Sequence, residues 1–160
     1  MKLFQLKMSL MELKVPPILV FLFFGLIMYG VARFLPFGYF DFFGRDYLMV
    51  FLLGMAIGIT LIGLMQFYRA GTTIDPADPS KTSKLVVNGL YRYSRNPMYL
   101  GMLLILLALG LRLGNAFNIL VAAGFVAYMN RFQVIPEEKT LLKNFGKQYR
   151  EYCVQVRRWF

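Results

Sequence analysis

The sequence predicts an all-α integral membrane protein: four transmembrane helices, an interfacial N-terminal helix before them and a cytoplasmic C-terminal helical segment after them. Three observations predict it. The 160 residues are 58% hydrophobic and only 16% charged, where soluble domains carry about 25% charge. Four stretches are almost free of charge, and net charge alternates between the loops that join them. The length suits one domain, a single membrane domain over 1–160. Spans are expected near 16–35, 47–68, 97–112 and 115–132, with polar regions at 69–99 and 131–160.

The first 14 residues mix Lys2, Lys7 and Lys14 with Leu3, Phe4, Leu6, Met8, Leu10, Met11 and Leu13. Such a stretch suits a helix lying in the membrane interface and is not a secretory signal. The first span follows Pro16 and Pro17, because proline is tolerated where the first N–H groups of a helix lack partners anyway. The second runs 47–68, 22 residues without a charge, long enough at 1.5 Å per residue to cross a hydrocarbon core of roughly 30 Å. Within it, Gly54 and Gly58 are spaced as a small-residue face that lets helices approach closely. The third and fourth spans are separated by Arg112-Leu113-Gly114-Asn115, and so short a link demands an antiparallel helical hairpin. Both are brief for lone spans, so they extend into flanking polar residues or sit in thinned bilayer.

Loop charge sets the orientation. The N-terminal stretch carries +2, residues 33–46 carry zero, residues 69–95 carry +3, the hairpin link +1 and the tail from Arg131 +4, which accounts for the whole +10. By the positive-inside rule both termini and the long middle loop face the cytoplasm of a multi-pass protein. The charge follows span ends rather than one surface, which fits anionic membrane lipids and argues against nucleic acid as a partner.

Composition narrows the chemistry. There is no histidine, which removes His bases and Ser–His–Asp triads. The one cysteine, Cys153, allows no internal disulfide and no multi-cysteine zinc site, so no metal is called for. It also lies too far from the C-terminus for a prenylation signal. No glycine-rich nucleotide loop of the Rossmann kind occurs. Arg, Lys, Glu, Asp, Tyr and the backbone are left to do the work.

The second half carries four motifs in series: Leu85-Val86-Val87-Asn88-Gly89-Leu90-Tyr91, then Arg95-Asn96-Pro97-Met98-Tyr99-Leu100-Gly101, then Pro136-Glu137-Glu138, then Phe145-Gly146-Lys147-Gln148-Tyr149-Arg150-Glu151-Tyr152. In type, spacing and order they resemble the isoprenylcysteine carboxyl methyltransferases and the related phospholipid methyltransferases, integral membrane enzymes that use S-adenosylmethionine. The resemblance covers about ninety residues, 69–158; the first two spans match only as apolar helices. It implies a cytoplasmic cofactor cleft built by 69–99 and 131–160, in which Leu85, Val86, Tyr91, Asn96, Pro97, Tyr99 and Glu137 contact the cofactor. Glu137 would accept its hydrogen bonds and the two tyrosines would pack on it, because a sulfonium nucleotide wants a carboxylate and electron-rich surfaces. The family's substrate-orienting arginine maps to Arg131, with Arg95 as the other candidate. Where the family often carries His, this chain has Asn96, which cannot titrate.

Each motif also has a plain structural reading. Asn96-Pro97 suits a helix N-cap followed by Pro at N1, Pro136-Glu137-Glu138 a helix start with acids against the dipole, and Gly146 a helix-ending C′ residue. Tyr91, Tyr93 and Tyr99 suit an interfacial aromatic belt, and Arg131 a snorkelling anchor. With the resemblance, the expected activity is methyl transfer from S-adenosylmethionine to a lipid or lipidated substrate in a bacterial or archaeal inner membrane, the oligomeric state being open. A carboxylate acceptor is already ionised near pH 7 and needs no base, so carboxyl O-methylation stands ahead of phospholipid amine N-methylation. The amine would require Glu138, Asp75 or Asp78 to take a proton. A nicotinamide-dependent membrane reductase and a non-enzymatic membrane scaffold are the rival readings.

Overall fold

The computed structural model describes residues 15–35, 37–71 and 84–160. The expected interfacial helix at 1–14, and Asp75 and Asp78, lie outside the described residues. Among them the chain is helical, with a single isolated bridge between Tyr39 and Asn115.

Helix α1 spans Pro17–Phe34 and begins with proline at its first position, as expected. Helix α2, Arg45–Ala70, overruns the expected span by two residues at each end. It starts after Gly44 and stops at Gly71, both with positive φ. Helix α3, Pro97–Leu113, ends at Gly114 in the left-handed region, whose N–H closes back on Gly110 and Leu111. The hairpin link then leads into α4, Asn118–Met129.

Two expectations are corrected here. The helix of the fourth span does not end near residue 132 but runs on past it, and Pro136-Glu137-Glu138 does not start a fresh helix. Helix α4 runs through a π turn, Asn130–Val134, straight into α5, Ile135–Gln155. A proline inside a helix removes one backbone bond and crowds the carbonyl four residues back. The widened turn before Pro136, in which Ile135 N–H reaches Asn130 O, makes room for it. Gly146 does have positive φ (52°, ψ −116°), yet helix resumes beyond it, so it bends α5 rather than ending it. Among the described residues three helices are long and apolar enough to cross a membrane: α1, α2 and the rod Asn118–Gln155, while α3 is a shorter apolar helix of 17 residues. Up to the bend at Gly146 the rod extends about 42 Å, well beyond a hydrocarbon core of roughly 30 Å. Its polar half, α5, therefore lies outside.

Helix α3 is the centre of the packing, with α1, α2 and α4 around it. Leu103, Leu106, Met28, Phe125, Met129 and Tyr99 form the main core, and Phe24 meets Phe125 edge to face. Helices α2 and α3 approach closely at Gly101, where a Cβ would lie 2.5 Å from Thr60 Oγ1 and 3.3 Å from the Ala56 carbonyl. Small residues thus do govern a helix contact, but not the pair expected: a Cβ on Gly54 or Gly58 would meet nothing within 4 Å. At the hairpin end, Asn115 donates to the carbonyls of Leu35 (2.8 Å) and Phe37 (3.3 Å) and accepts from Phe117 N–H. One side chain thereby ties the α1–α2 connection to the α3–α4 turn. Large apolar side chains along α1 and α2 stay exposed, as lipid-facing surfaces do.

Candidate active site

At the other end of α3, four pieces of chain converge: the segment 85–96, the first turn of α3, the first turn of α5 and the tail 156–159. A short 3₁₀ turn, Gly89–Arg92, organises the first piece. It is pinned from α2, because Gln66 Oε1 accepts the Leu90 N–H at 3.3 Å. A Cβ on Gly89, whose φ is +63°, would collide with that side chain, so glycine is required on both counts. The turn delivers Tyr91 into a buried cluster with Tyr149, Tyr152 and Val156, against which Leu85 and Val86 pack. Phe67 meets the Tyr91 ring edge on at 5.3 Å, and the Tyr152 hydroxyl donates to the Tyr91 carbonyl at 2.7 Å. Burial, followed by the nearby Tyr152 and Glu137, pushes the Tyr91 phenol above its ordinary pKa.

Asn96 occupies the N-cap position of α3, but its side chain makes no cap. It turns instead to the tail and donates to the Arg158 carbonyl at 3.0 Å. That is a correction to the capping expectation. The tail offers a carbonyl in reach of the side-chain amide, while the Asn96 backbone N–H is taken separately by Ser94 Oγ at 3.2 Å. Pro97 follows as the buried first residue of the helix. Two positions on, the Tyr99 hydroxyl donates to Glu137 Oε1 across the gap between α3 and α5. Burial raises the Glu137 carboxyl to about 8; the Tyr99 hydrogen bond opposes this and the neighbouring Glu138 charge adds to it. A desolvated carboxyl of this kind gains from any bound hydroxyl or cation that supplies what water no longer does. With two phenols and the apolar Leu85 and Val86 nearby, the donor set fits a cationic nucleotide.

The two arginines are placed differently. Arg95 Nη2 stands 2.8 Å from Glu138 Oε1, and its Nη1 donates to the carbonyls of Cys153 (3.0 Å) and Val156 (3.1 Å). It holds chain segments together. Arg131 lies in the π turn, about one and a half turns before Glu137, with its guanidinium 5.6 Å from the Phe132 ring centre.

The structure therefore brings Tyr91, Tyr99 and Glu137 together, sets Leu85 and Val86 beside Tyr91 and starts the helix with Asn96 and Pro97. Sequence reasoning missed the residues that fasten this arrangement. Glu138 takes both Arg95 and Arg158, the latter at 2.6 Å from Nη2, and this hydrogen bond holds the Arg158 guanidinium above its ordinary pKa. Ser94 Oγ reaches the Arg158 carbonyl, the Arg95 N–H reaches the Arg157 carbonyl, and Trp159 Nε1 reaches Asn130 Oδ1. The sequence signal was thin: two adjacent acids and an arginine inside a motif, with nothing to pair them across 43 positions.

A family model described as phospholipid methyltransferase matches residues 45–148, which takes in α2, the 3₁₀ turn, α3, α4 and α5 past its bend. A protein of Haemophilus influenzae described as uncharacterized is 48% identical to this chain over 62 residues, which are 39% of this chain and 98% of that protein. No solved structure matches the chain.

Proposed function

Since this chain belongs to the phospholipid methyltransferase family, whose activity is methyl transfer to lipids at the membrane, we propose that it transfers the methyl group of S-adenosylmethionine to a carboxylate on a lipid or lipidated substrate at the cytoplasmic face. The observation that carries this is the Tyr99–Glu137 contact beside Tyr91, which joins two motifs 38 positions apart into one electron-rich nest.

S-adenosylmethionine, when bound, supplies a methyl group on a sulfonium, open to in-line attack. Glu137 holds the cofactor through its carboxyl, oriented by the Tyr99 hydroxyl. Tyr91, backed by Phe67 and Tyr152, packs against it, and Leu85 and Val86 give the base an apolar wall. Asn96 and Pro97 fix the start of α3 so that Tyr99 is presented at the right height. Arg131, in the π turn between α4 and α5, orients the acceptor carboxylate through its guanidinium fork.

The case for a carboxylate rests on proton accounting. An amine acceptor must lose a proton for its nitrogen to attack. Glu138 is committed to Arg95 and Arg158 and Glu137 to the cofactor, which leaves Asp75 and Asp78, outside the described residues, as the carboxylates an amine acceptor would need. An ionised carboxylate requires no base, only alignment and partial desolvation. The second reading is N-methylation of an aminophospholipid head group, favoured by the description of the family itself.

The test uses purified protein in lipid nanodiscs with methyl-labelled S-adenosylmethionine. Substrate vesicles contain either a prenylated cysteine bearing a free carboxylate or phosphatidylethanolamine. Labelled lipid that releases methanol on treatment with base is a methyl ester; label that survives base is N-methyl. Ester formation supports the first reading and N-methyl lipid the second. Binding of NADPH without binding of S-adenosylhomocysteine would overturn both in favour of a reductase, and binding of neither would favour the scaffold.

A further inference from the structure

The end of α3 remote from Glu137 holds a cavity of about 390 Å³. Leu107 and Leu111 of α3, Met28 of α1, Leu48 and Leu52 of α2 and Asn118 at the start of α4 line it. Leu107 and Leu111 stand two to three turns beyond Tyr99, roughly 12–18 Å along the axis. This is a different place from the candidate active site.

The packing explains why space is left there. Helix α1 leans on α3 and α4, helix α2 leans on α3, and α1 and α2 scarcely meet each other. Two helices resting on a third without touching leave a slot above it, and both present large apolar side chains to their surroundings. The slot is therefore flanked by hydrocarbon-facing surface. A volume this size would hold about a dozen waters at roughly 30 Å³ each, but apolar cavities stay dry.

Two asparagines, Asn115 and Asn118, break the apolar lining. Asn118 is 1% exposed, and neither its Oδ1 nor its Nδ2 has a hydrogen-bond partner among the described residues. Asn115, three residues earlier, uses both ends of its amide on the backbone of the turn. An amide left unpaired at membrane depth costs several kcal/mol, so the Asn118 carboxamide calls for a partner that the cavity can admit.

We propose that this cavity binds one acyl chain of a membrane phospholipid, with the ester carbonyl at the head of that chain accepting a hydrogen bond from Asn118 Nδ2. The methylenes lie against Leu48, Leu52, Leu107 and Leu111, and the bound chain fills the slot between α1 and α2. This is a lipid held as part of the fold, and it takes no part in methyl transfer.

The test is photolabelling of the full-length protein in phosphatidylcholine nanodiscs doped with a phosphatidylcholine whose acyl chain carries a diazirine, read by peptide mass spectrometry without any cofactor. The expected label concentrates on peptides covering Leu48–Leu52 and Leu107–Ile119. Filling the slot with Leu111→Trp, or with the milder Leu107→Phe should the first not fold, should bring that label down to the level of open lipid-facing surface. Labelling at Leu26, 71% exposed on α1, should stay unchanged and reports that the protein is folded and inserted. Asn118→Leu should lose co-purified phospholipid on detergent washing that the wild type retains. Label that follows bulk exposure alone, or that ignores both filling variants, overturns the proposal.

Discussion

Arg95 and Glu138 meet at 2.8 Å, and the same two short segments meet again where Tyr99 donates to Glu137. Neighbouring acids thus take opposite parts. Glu138 is paired with charge, while Glu137 is paired with a neutral phenol and is driven toward its protonated form. The ion pair fixes how the two segments lie, and the phenol–carboxyl contact is what that fixing presents.

Removing the Glu138 charge should therefore be costly. The Arg95 and Glu138 side chains are 11% and 15% exposed, and Arg158, the second partner, is 42% exposed. Glu138→Gln leaves the Arg95 guanidinium buried without its counter-charge, a loss of about 3–5 kcal/mol. Arg158→Met breaks a pair that is half in solvent and should cost about 1 kcal/mol or less. Thermal unfolding in detergent micelles compares the two; equal effects would mean that the charge does not hold these segments.

The Glu137 carboxyl makes the protein sensitive to pH in a stated direction. Its native pKa of about 8 lies above its ordinary 4.5, so the native state holds a proton that the unfolded chain gives up. That contribution to stability is complete below about pH 4.5 and is lost as pH rises through about 8. The wild type should thus lose thermal stability between about pH 5 and pH 8 more steeply than Glu137→Gln. A bound sulfonium cofactor favours the ionised carboxyl, so binding at neutral pH should release a proton and tighten as pH rises toward 8. Calorimetry with S-adenosylmethionine in two buffers of different ionisation enthalpy measures that proton. Finding none, or finding it unchanged in Glu137→Gln, would detach Glu137 from the cofactor.

The apolar segments and the hairpin link were legible from sequence because hydrocarbon thickness and link length leave few choices. Pro17 and Pro97 were readable as helix starts for the same local reason. Pro136 was not, because an N1 proline and a proline behind a π turn look alike until one knows that the preceding carbonyls have room. Asn96 illustrates a second limit: its position as a cap was local and correct, but its side chain answered to the Arg158 carbonyl, 62 positions away. The same holds for Arg95, whose partners lie on α5 and the tail. Residues with local partners were legible from their neighbours; Tyr99 and Glu137, 38 positions apart, were placed together by the resemblance, and the distant partners of Asn96 and Arg95 were not legible.

Gly146 should tolerate no side chain. Its φ of 52° with ψ of −116° is closed to L-residues with a Cβ, yet a Cβ there would touch nothing within 4 Å. Gly146→Ala thus isolates backbone strain and should cost about 1–3 kcal/mol. Gly58→Ala, equally uncrowded but in regular helix, should be neutral or stabilising by up to about 1 kcal/mol. Detergent melting curves of the two variants settle the comparison, and similar values would show that the bend in α5 is not held by this residue.

The contact of α2 with α3 invites a double-mutant test. A Cβ at Gly101 would lie 2.5 Å from Thr60 Oγ1, which is the tip of a side chain, and 3.3 Å from the Ala56 carbonyl, which is backbone. Gly101→Ala should therefore destabilise by about 1–3 kcal/mol, as overpacking does. Thr60→Ala removes the nearer obstacle and leaves the farther one, which a shift of a few tenths of an ångström relieves. The pair together should recover most of the loss, a coupling of about 0.5–3 kcal/mol. Strict additivity would mean that the helices already part at this point in the membrane. Recovery would show that Gly101 is there to let α2 lie close, and that closeness is what carries Gln66 to the turn behind Tyr91.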